Sequence, residues 1–290
     1  MSREPDLRSL IAAPHPDEAP LPPAAVLADG VRLLRGVPYA DVPGVRPPEL
    51  DLWLPAERPG GPPSPLVFFV HGGGWRRGRR EDMGYRMRQW EPGPFARLAA
   101  AGLAVASVDY RLTGEAVFPA QLDDLVGALR WLERRSPELG TDTGRTVVWG
   151  ESAGGHLASM LALSPDAPPV RGAVAWYAPS DLTRYGDDPR TPEALLLGAA
   201  PADVPDRARE ASPVAHVGPG APPFLLVHGE KDSMVDCDHS RLLAARLGEA
   251  GASVDLWTVP GADHVWYGLS DDEVEDVFAR TLSWIQQLVG

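Results

Sequence analysis

Residues 150–154 read Gly-Glu-Ser-Ala-Gly, directly after the β-branched run Thr146-Val147-Val148 and Trp149. A serine between two glycines at a strand end fits a sharp strand-to-helix turn that lifts one hydroxyl clear of the backbone. Glycine is needed on both sides because a Cβ there would strike the neighbouring strand or helix. The helix that follows would aim free N–H groups and a positive dipole end at the same point. A serine hydroxyl is a weak nucleophile at neutral pH. Ser152 therefore predicts two partners, a base within hydrogen-bond reach and a carboxylate that orients that base.

A second glycine cluster stands earlier, where the apolar run Leu66–Val70 passes into His71-Gly72-Gly73-Gly74-Trp75. Glycines after a strand let backbone N–H groups converge on one point, as an acyl-transfer site needs to hold an oxyanion. The expected donors are the N–H groups of Gly73, Gly74 and Ala153. For the carboxylate, the strand Phe224–Val227 leads into His228-Gly229-Glu230-Lys231-Asp232. Asp232 is the assignment, with Glu230 and Asp236 as alternatives on the same loop. For the base, His264 lies in Pro260-Gly261-Ala262-Asp263-His264, before the last helix. His228, His239 and His216 compete with it, and His228 reads better as a buried structural residue. His71 is expected to order the glycine loop, and His156 sits one turn into the helix after Ser152.

The elements that must carry these loops are legible as alternating runs. Leu50–Pro55 alternates with period two and reads as a half-exposed antiparallel strand. Leu66–Val70, Leu103–Val108, Thr146–Trp149, Gly172–Trp176 and Pro223–Val227 are apolar throughout, the pattern of strands covered on both faces. A more alternating run follows at Ser253–Val259. Helical stretches lie between them at Pro94–Ala101, Pro119–Arg134, Ala153–Leu163, Ser240–Gly248 and Asp272–Gln287. Strand–helix alternation predicts a mostly parallel α/β sheet with helices on both faces. Residues 1–30, rich in Pro, Ala and acidic groups, read as an N-terminal arm or a short cap helix, and 31–290 as one domain. Within it, 180–213 reads as a small lid-like insertion.

Composition removes several function classes. The chain has 290 residues, 44% hydrophobic, and a net charge of −13. That charge argues against nucleic acid and anionic membranes as partners. Lys231 is the only lysine, and the arginines form no long basic run. The seven histidines are dispersed, so no metal site is expected. Neither G-x-G-x-x-G nor a Walker lysine occurs, so no cofactor is expected. No stretch approaches the roughly eighteen apolar residues of a membrane span. The start, Met1-Ser2-Arg3-Glu4-Pro5-Asp6, lacks a basic region followed by an apolar one. With Cys237 as the single cysteine, a cytoplasmic setting is the expectation, and Cys237 reads as a small apolar filler.

Taken together, the Leu50–Pro55 strand, His71–Trp75, Asp109-Tyr110-Arg111-Leu112, Phe118-Pro119-Ala120-Gln121, Gly150–Gly155, the Asp232 loop and the His264 loop carry a resemblance. Over residues 47–288 the chain resembles α/β-hydrolases of the hormone-sensitive-lipase and feruloyl/acetyl-xylan-esterase-like group, broadly the carboxylesterases. The resemblance implies an α/β-hydrolase fold. It also implies a serine hydrolase that cleaves a small-molecule carboxylic ester through an acyl-enzyme, with Ser152, His264 and Asp232 in the three roles. It makes Arg111 a structural element. The modest insertion implies a small or open acyl pocket, for which Trp75, Tyr85, Trp90, Phe118 and Trp266 are the candidate lining, each with core packing as its competing role. Kynurenine formamidase, an amide hydrolase with a His-Gly-Gly-x-Trp loop, is the runner-up, and Gly74 at the x position favours the ester side. A non-catalytic binding protein on the same fold is the third reading.

Overall fold

The computed structural model describes residues 14–57 and 59–290. Its centre is the run Ser64–Val70, whose alternation sends Leu66, Phe68 and Val70 into one apolar layer and Val67 and Phe69 into the other. A strand buried on both faces must lie inside a sheet covered twice, and this one does.

The strands are β1 (Ala25–Val26), β2 (Arg32–Pro38), β3 (Glu49–Leu54), β4 (Ser64–Val70), β5 (Ala104–Val108), β6 (Thr141–Glu151), β7 (Gly172–Trp176), β8 (Phe224–Gly229) and β9 (Val254–Val259). They form one sheet in the order β1-β2-β3-β5-β4-β6-β7-β8-β9. β1, β2, β3 and β5 pair antiparallel in sequence, and all other pairings are parallel. The long helices are α1 (Pro94–Ala100), α2 (Ala120–Leu139), α3 (Ala153–Leu163), α6 (Asp238–Glu249) and α7 (Asp271–Val289). α2, α3 and α6 give apolar side chains to one layer, α1 and α7 to the other. Ser270 and Glu273 close a reciprocal capping box at the start of α7.

Register sets where the loops emerge. Val70 pairs with Gly150, Glu151 with Trp176, Trp176 with Val227 and Gly229 with Val259. Parallel strands in that register put the loops after β4, β6, β7, β8 and β9 on one edge of the sheet, where α/β sheets build their sites.

Three expectations need correction. β1 and β2 were not anticipated, because Arg32, Arg35 and Gly36 break the apolar pattern. β2 holds its place with a bulge between Leu34 and Val37, and the Gly36 N–H donates to Asp51 Oδ1 at 2.7 Å. β3 is not half-exposed. Asp51 is fully buried because the Arg80 guanidinium reaches it at 2.7 Å, so a charge pair stands where solvent was expected. β6 starts at Thr141, five residues earlier than its apolar core suggests, across a register shift between Pro65 and Leu66.

Residues 1–13 of the N-terminal segment lie outside the described residues. Further along, the Pro16 carbonyl accepts hydrogen bonds from Trp131 Nε1 and Arg135, and Asp17 pairs with Arg134, all on α2. The 180–213 segment carries two short helices, α4 (Pro192–Leu197) and α5 (Pro205–Glu210), and no strand.

Candidate active site

The turn after β6 has the strain its sequence foretold. Ser152 has φ 51° and ψ −122°, a left-handed conformation that a residue with a Cβ adopts only when its surroundings impose it. A Cβ on Gly150 would lie 2.1 Å from the Gly154 carbonyl oxygen, and one on Gly154 would lie 2.1 Å from that of Val70. Glycine at both places therefore lets β4, β6 and α3 meet closely, and the meeting brings the His71 loop against the Ser152 turn.

His264 reaches Ser152 from the loop after β9. Its Nε2 is 3.0 Å from Ser152 Oγ, and its Nδ1 is 2.7 Å from Asp232 Oδ2. A carboxylate accepts only, so Nδ1 carries the proton and Nε2 is free to accept from the serine. The Asp232 side chain has no exposed surface. Burial alone would raise its pKa, but hydrogen bonds with His228 and His264 and the Val235 N–H outweigh this and hold the carboxyl well below its ordinary range. Its Oδ1 also accepts from the N–H groups of Met234 and Val235 at 2.9 and 2.8 Å.

The alternatives on these loops are occupied elsewhere. Glu230 accepts from Thr258 and Asp236 from the Asp238 N–H. His228 is fully buried, bonded to Ser240 Oγ and the Val235 carbonyl, with Nε2 3.3 Å from Asp232 Oδ2. Reading it as structural was right. Its place beside the Asp232 carboxylate was not foreseen, although its position four residues before Asp232 was a signal. His239 Nδ1 faces the N–H groups of Ser180 and Asp181, and His216 bonds the Glu210 carbonyl. Asp263 was missed outright. Its Oδ1 accepts from the N–H groups of His264 and Ser233 at 2.6 and 2.7 Å, tying the His264 loop to the Asp232 loop.

Behind the glycine loop, His71 Nδ1 donates to the Gly72 carbonyl at 2.8 Å, and its ring stacks on Tyr110 at 4.5 Å. Burial lowers its pKa, which favours the neutral ring. Trp75 Nε1 donates to His156 Nδ1 at 3.2 Å, and His156 Nε2 donates to the Ala211 carbonyl at 2.6 Å. His156 thus pins the glycine loop, α3 and the 180–213 segment together, and burial holds it neutral with a pKa of about 4. Pro192 of that segment lies within 3.3 Å of where a Gly74 Cβ would be. Among the described residues, the N–H groups of Gly73, Gly74 and Ala153 donate to no protein acceptor. Arg111 forks onto Asp124, the structural role expected of it.

The five aromatic candidates are placed unequally. Trp75 and Trp266 are each 1% exposed and Phe118 5%, all within the packed interior. Trp90 packs edge-to-face on Phe278 with Arg97 stacked on its ring. Tyr85 alone presents its ring to solvent, at 63% exposure.

The profile of the BD-FAE family matches residues 50–247, more than half of the chain. The chain belongs to the BD-FAE family. Esterase LipQ of Mycobacterium tuberculosis is 30% identical to this BD-FAE chain over 246 residues, covering 79% of the chain and 56% of LipQ. Carboxylesterase NlhH of the same organism is 32% identical over 218 residues, 69% of the chain and 66% of NlhH. The chain thus spans a little over half of LipQ and just under two thirds of NlhH. Among solved structures, the propionate-bound Est2 esterase of Thermogutta terrifontis superposes with a TM-score of 0.70 at 25% identity, covering 87% of this chain and 93% of Est2. The BD-FAE chain has the α/β-hydrolase fold. Among its described residues no helix is long and apolar enough to cross a membrane, and no cluster of three or more His, Cys, Asp or Glu could hold a metal ion.

Proposed function

We propose that this protein is a carboxylesterase that hydrolyses small esters through a serine acyl-enzyme. The observation that carries the reading is the relay Ser152 Oγ, His264 Nε2, His264 Nδ1, Asp232 Oδ2, with steps of 3.0 and 2.7 Å. Ser152 attacks the ester carbonyl as His264 takes its proton, and Asp232 stabilises the imidazolium. The N–H groups of Gly73, Gly74 and Ala153, which no acceptor among the described residues occupies, hold the oxyanion. His264 then protonates the departing alcohol and activates the water that frees the acid. Family membership and the naming of LipQ and NlhH as esterases support ester over amide hydrolysis. A small acyl pocket fits the close approach of Pro192 to Gly74, and of the aromatic candidates Tyr85 is the one whose exposure suits contact with substrate. A cytoplasmic setting completes the reading, supported by Cys237, which is buried and has no second cysteine to pair with.

The test is hydrolysis of p-nitrophenyl esters from acetate to decanoate, beside N-formylkynurenine, by wild type and Ser152→Ala. Turnover of the short esters that Ser152→Ala loses almost completely is the expected result. Turnover of the formamide alone would make the protein an amidase on the same residues. Ester turnover undiminished in Ser152→Ala would overturn the mechanism.

A further inference from the structure

Glu151, the residue before the serine, is 7% exposed, and among the described residues no Lys, Arg or His forms an ion pair with it. Its carboxylate is nevertheless tightly housed. Oε2 accepts from the Tyr177 hydroxyl. A Cβ on Gly72 would lie 3.1 Å from Oε1, and one on Gly84, at φ +89°, would lie 2.6 Å from Oε2. Two glycines thus give up side chains so that backbone can approach this one group. Gly72 belongs to the loop that offers the oxyanion donors.

Tyr177 makes the other connection. It has φ 38°, strained for a residue with a Cβ, and its N–H donates to the Val227 carbonyl on β8. Its ring stands edge-on to the His264 imidazole at 4.8 Å and to Trp266 at 4.7 Å. Val265 and Trp266 also have positive φ, so the base loop is bent around this ring. A hydroxyl locked by a buried carboxylate fixes the ring plane, and the ring fixes one wall of the imidazole.

We infer that Glu151 is a positioning residue that couples the oxyanion loop to the general base, through Gly72 on one side and the Tyr177 ring on the other, and that its negative charge favours the imidazolium formed at His264. The inference rests on the serine-hydrolase reading above. Burial raises the Glu151 pKa, while the Tyr177 hydroxyl, His264 and the Gly72 backbone draw it down and Asp82 opposes them. Facing Glu151 are Tyr177 from the end of β7, Asp82 with its partner Arg88, and Tyr110 after β5. Facing His264 are Asp232, backed by His228, and Asp263, which holds the His264 N–H. Glu151 is therefore a second buried carboxylate connected to the base, through the Tyr177 ring rather than by a hydrogen bond of its own.

The experiment is kcat, KM and the pH profile of kcat/KM on p-nitrophenyl acetate, with fluorophosphonate labelling of Ser152 followed across the same pH range. The proteins are wild type, Glu151→Gln, Glu151→Asp and Tyr177→Phe. Glutamine has one acceptor oxygen where glutamate has two, and carries no charge. Glu151→Gln is expected to lower kcat about tenfold or more with little change in KM, and to move the acid-side limb to lower pH by about half a unit. Glu151→Asp keeps the charge, so its limb stays near wild type while kcat falls. Tyr177→Phe removes one hydroxyl and is expected to lower kcat at unchanged KM and unchanged limb. A Glu151→Gln protein that folds, with the wild-type limb in both turnover and labelling, overturns the inference. If Glu151→Gln does not fold, wild-type kcat in Tyr177→Phe overturns it instead. Failure of the underlying reading looks different, because wild type itself would then show neither labelling nor Ser152-dependent turnover.

Discussion

At the residue scale, each group proposed to react is defined by what holds it. Asp232 accepts bonds from two backbone N–H groups and from His264, with His228 beneath it. This is more than a carboxylate needs to stay ionised, and it fixes which oxygen faces His264. Asp232→Asn keeps the volume but presents either an amide nitrogen that cannot accept from Nδ1–H or an oxygen that carries no charge. Turnover of p-nitrophenyl acetate is expected to fall by about 10³- to 10⁴-fold, with Tm shifted by only a few degrees. A loss of tenfold or less in kcat would show that another group orients His264.

At the element scale, the close contacts of β4, β6 and α3 depend on glycine, while other glycines are free. The Cβ of Gly154→Ala would meet the carbonyl oxygen of Val70 at 2.1 Å and that of His71 at 2.5 Å, both backbone and unable to swing aside. That substitution is expected to destabilise by at least ~2 kcal/mol and to displace the Gly72–Gly74 loop. Gly127 lies inside α2 with nothing within 4 Å of an added Cβ. Gly127→Ala should instead stabilise by about 0.5–1 kcal/mol, because a helical glycine costs backbone entropy. Urea unfolding of the two variants measures both, and equal effects would mean that the sheet–helix contact is looser than described.

At the scale of the whole molecule, buried histidines make stability depend on pH. His156 and His239 are held neutral by burial, each with a pKa of about 4 against the ordinary value of 6.5. The unfolded chain therefore binds protons that the folded chain refuses. Stability present above pH 6.5 is lost as pH falls through the window to about 4, by a few kcal/mol between the two. Asp232, held below the usual carboxylate range, keeps its contribution until more acidic pH. Glu151, raised by burial, works in the opposite sense and regains stability as it protonates. The urea midpoint is expected to drop between pH 7 and pH 4.5, and less steeply in His239→Asn. There the amide oxygen replaces Nδ1 as acceptor for Ser180 and Asp181 but cannot titrate. The same slope in both proteins would remove His239 from the account.

The signals written along the chain are local. The apolar runs located β4 to β8 and an alternating run located β9, the glycines located the two tight loops, and chain order placed Ser152, Asp232 and His264 after strands, because a buried parallel strand and a turn that excludes Cβ each leave a contiguous signature. β1 and β2 were invisible, since a two-residue edge strand and a bulged neighbour interrupted by arginines and Gly36 carry no such pattern. Only the tertiary structure could decide how the loops meet. Ser152 and His264 stand 112 positions apart, and Glu151 and Tyr177 stand 26 apart. Those distances close because parallel register carries the loops at the strand C-termini to one edge of the sheet. Asp263 as the tie between loops, the buried Asp51–Arg80 pair and the Glu151–Tyr177 bond each depend on that register. No spacing along the chain records it.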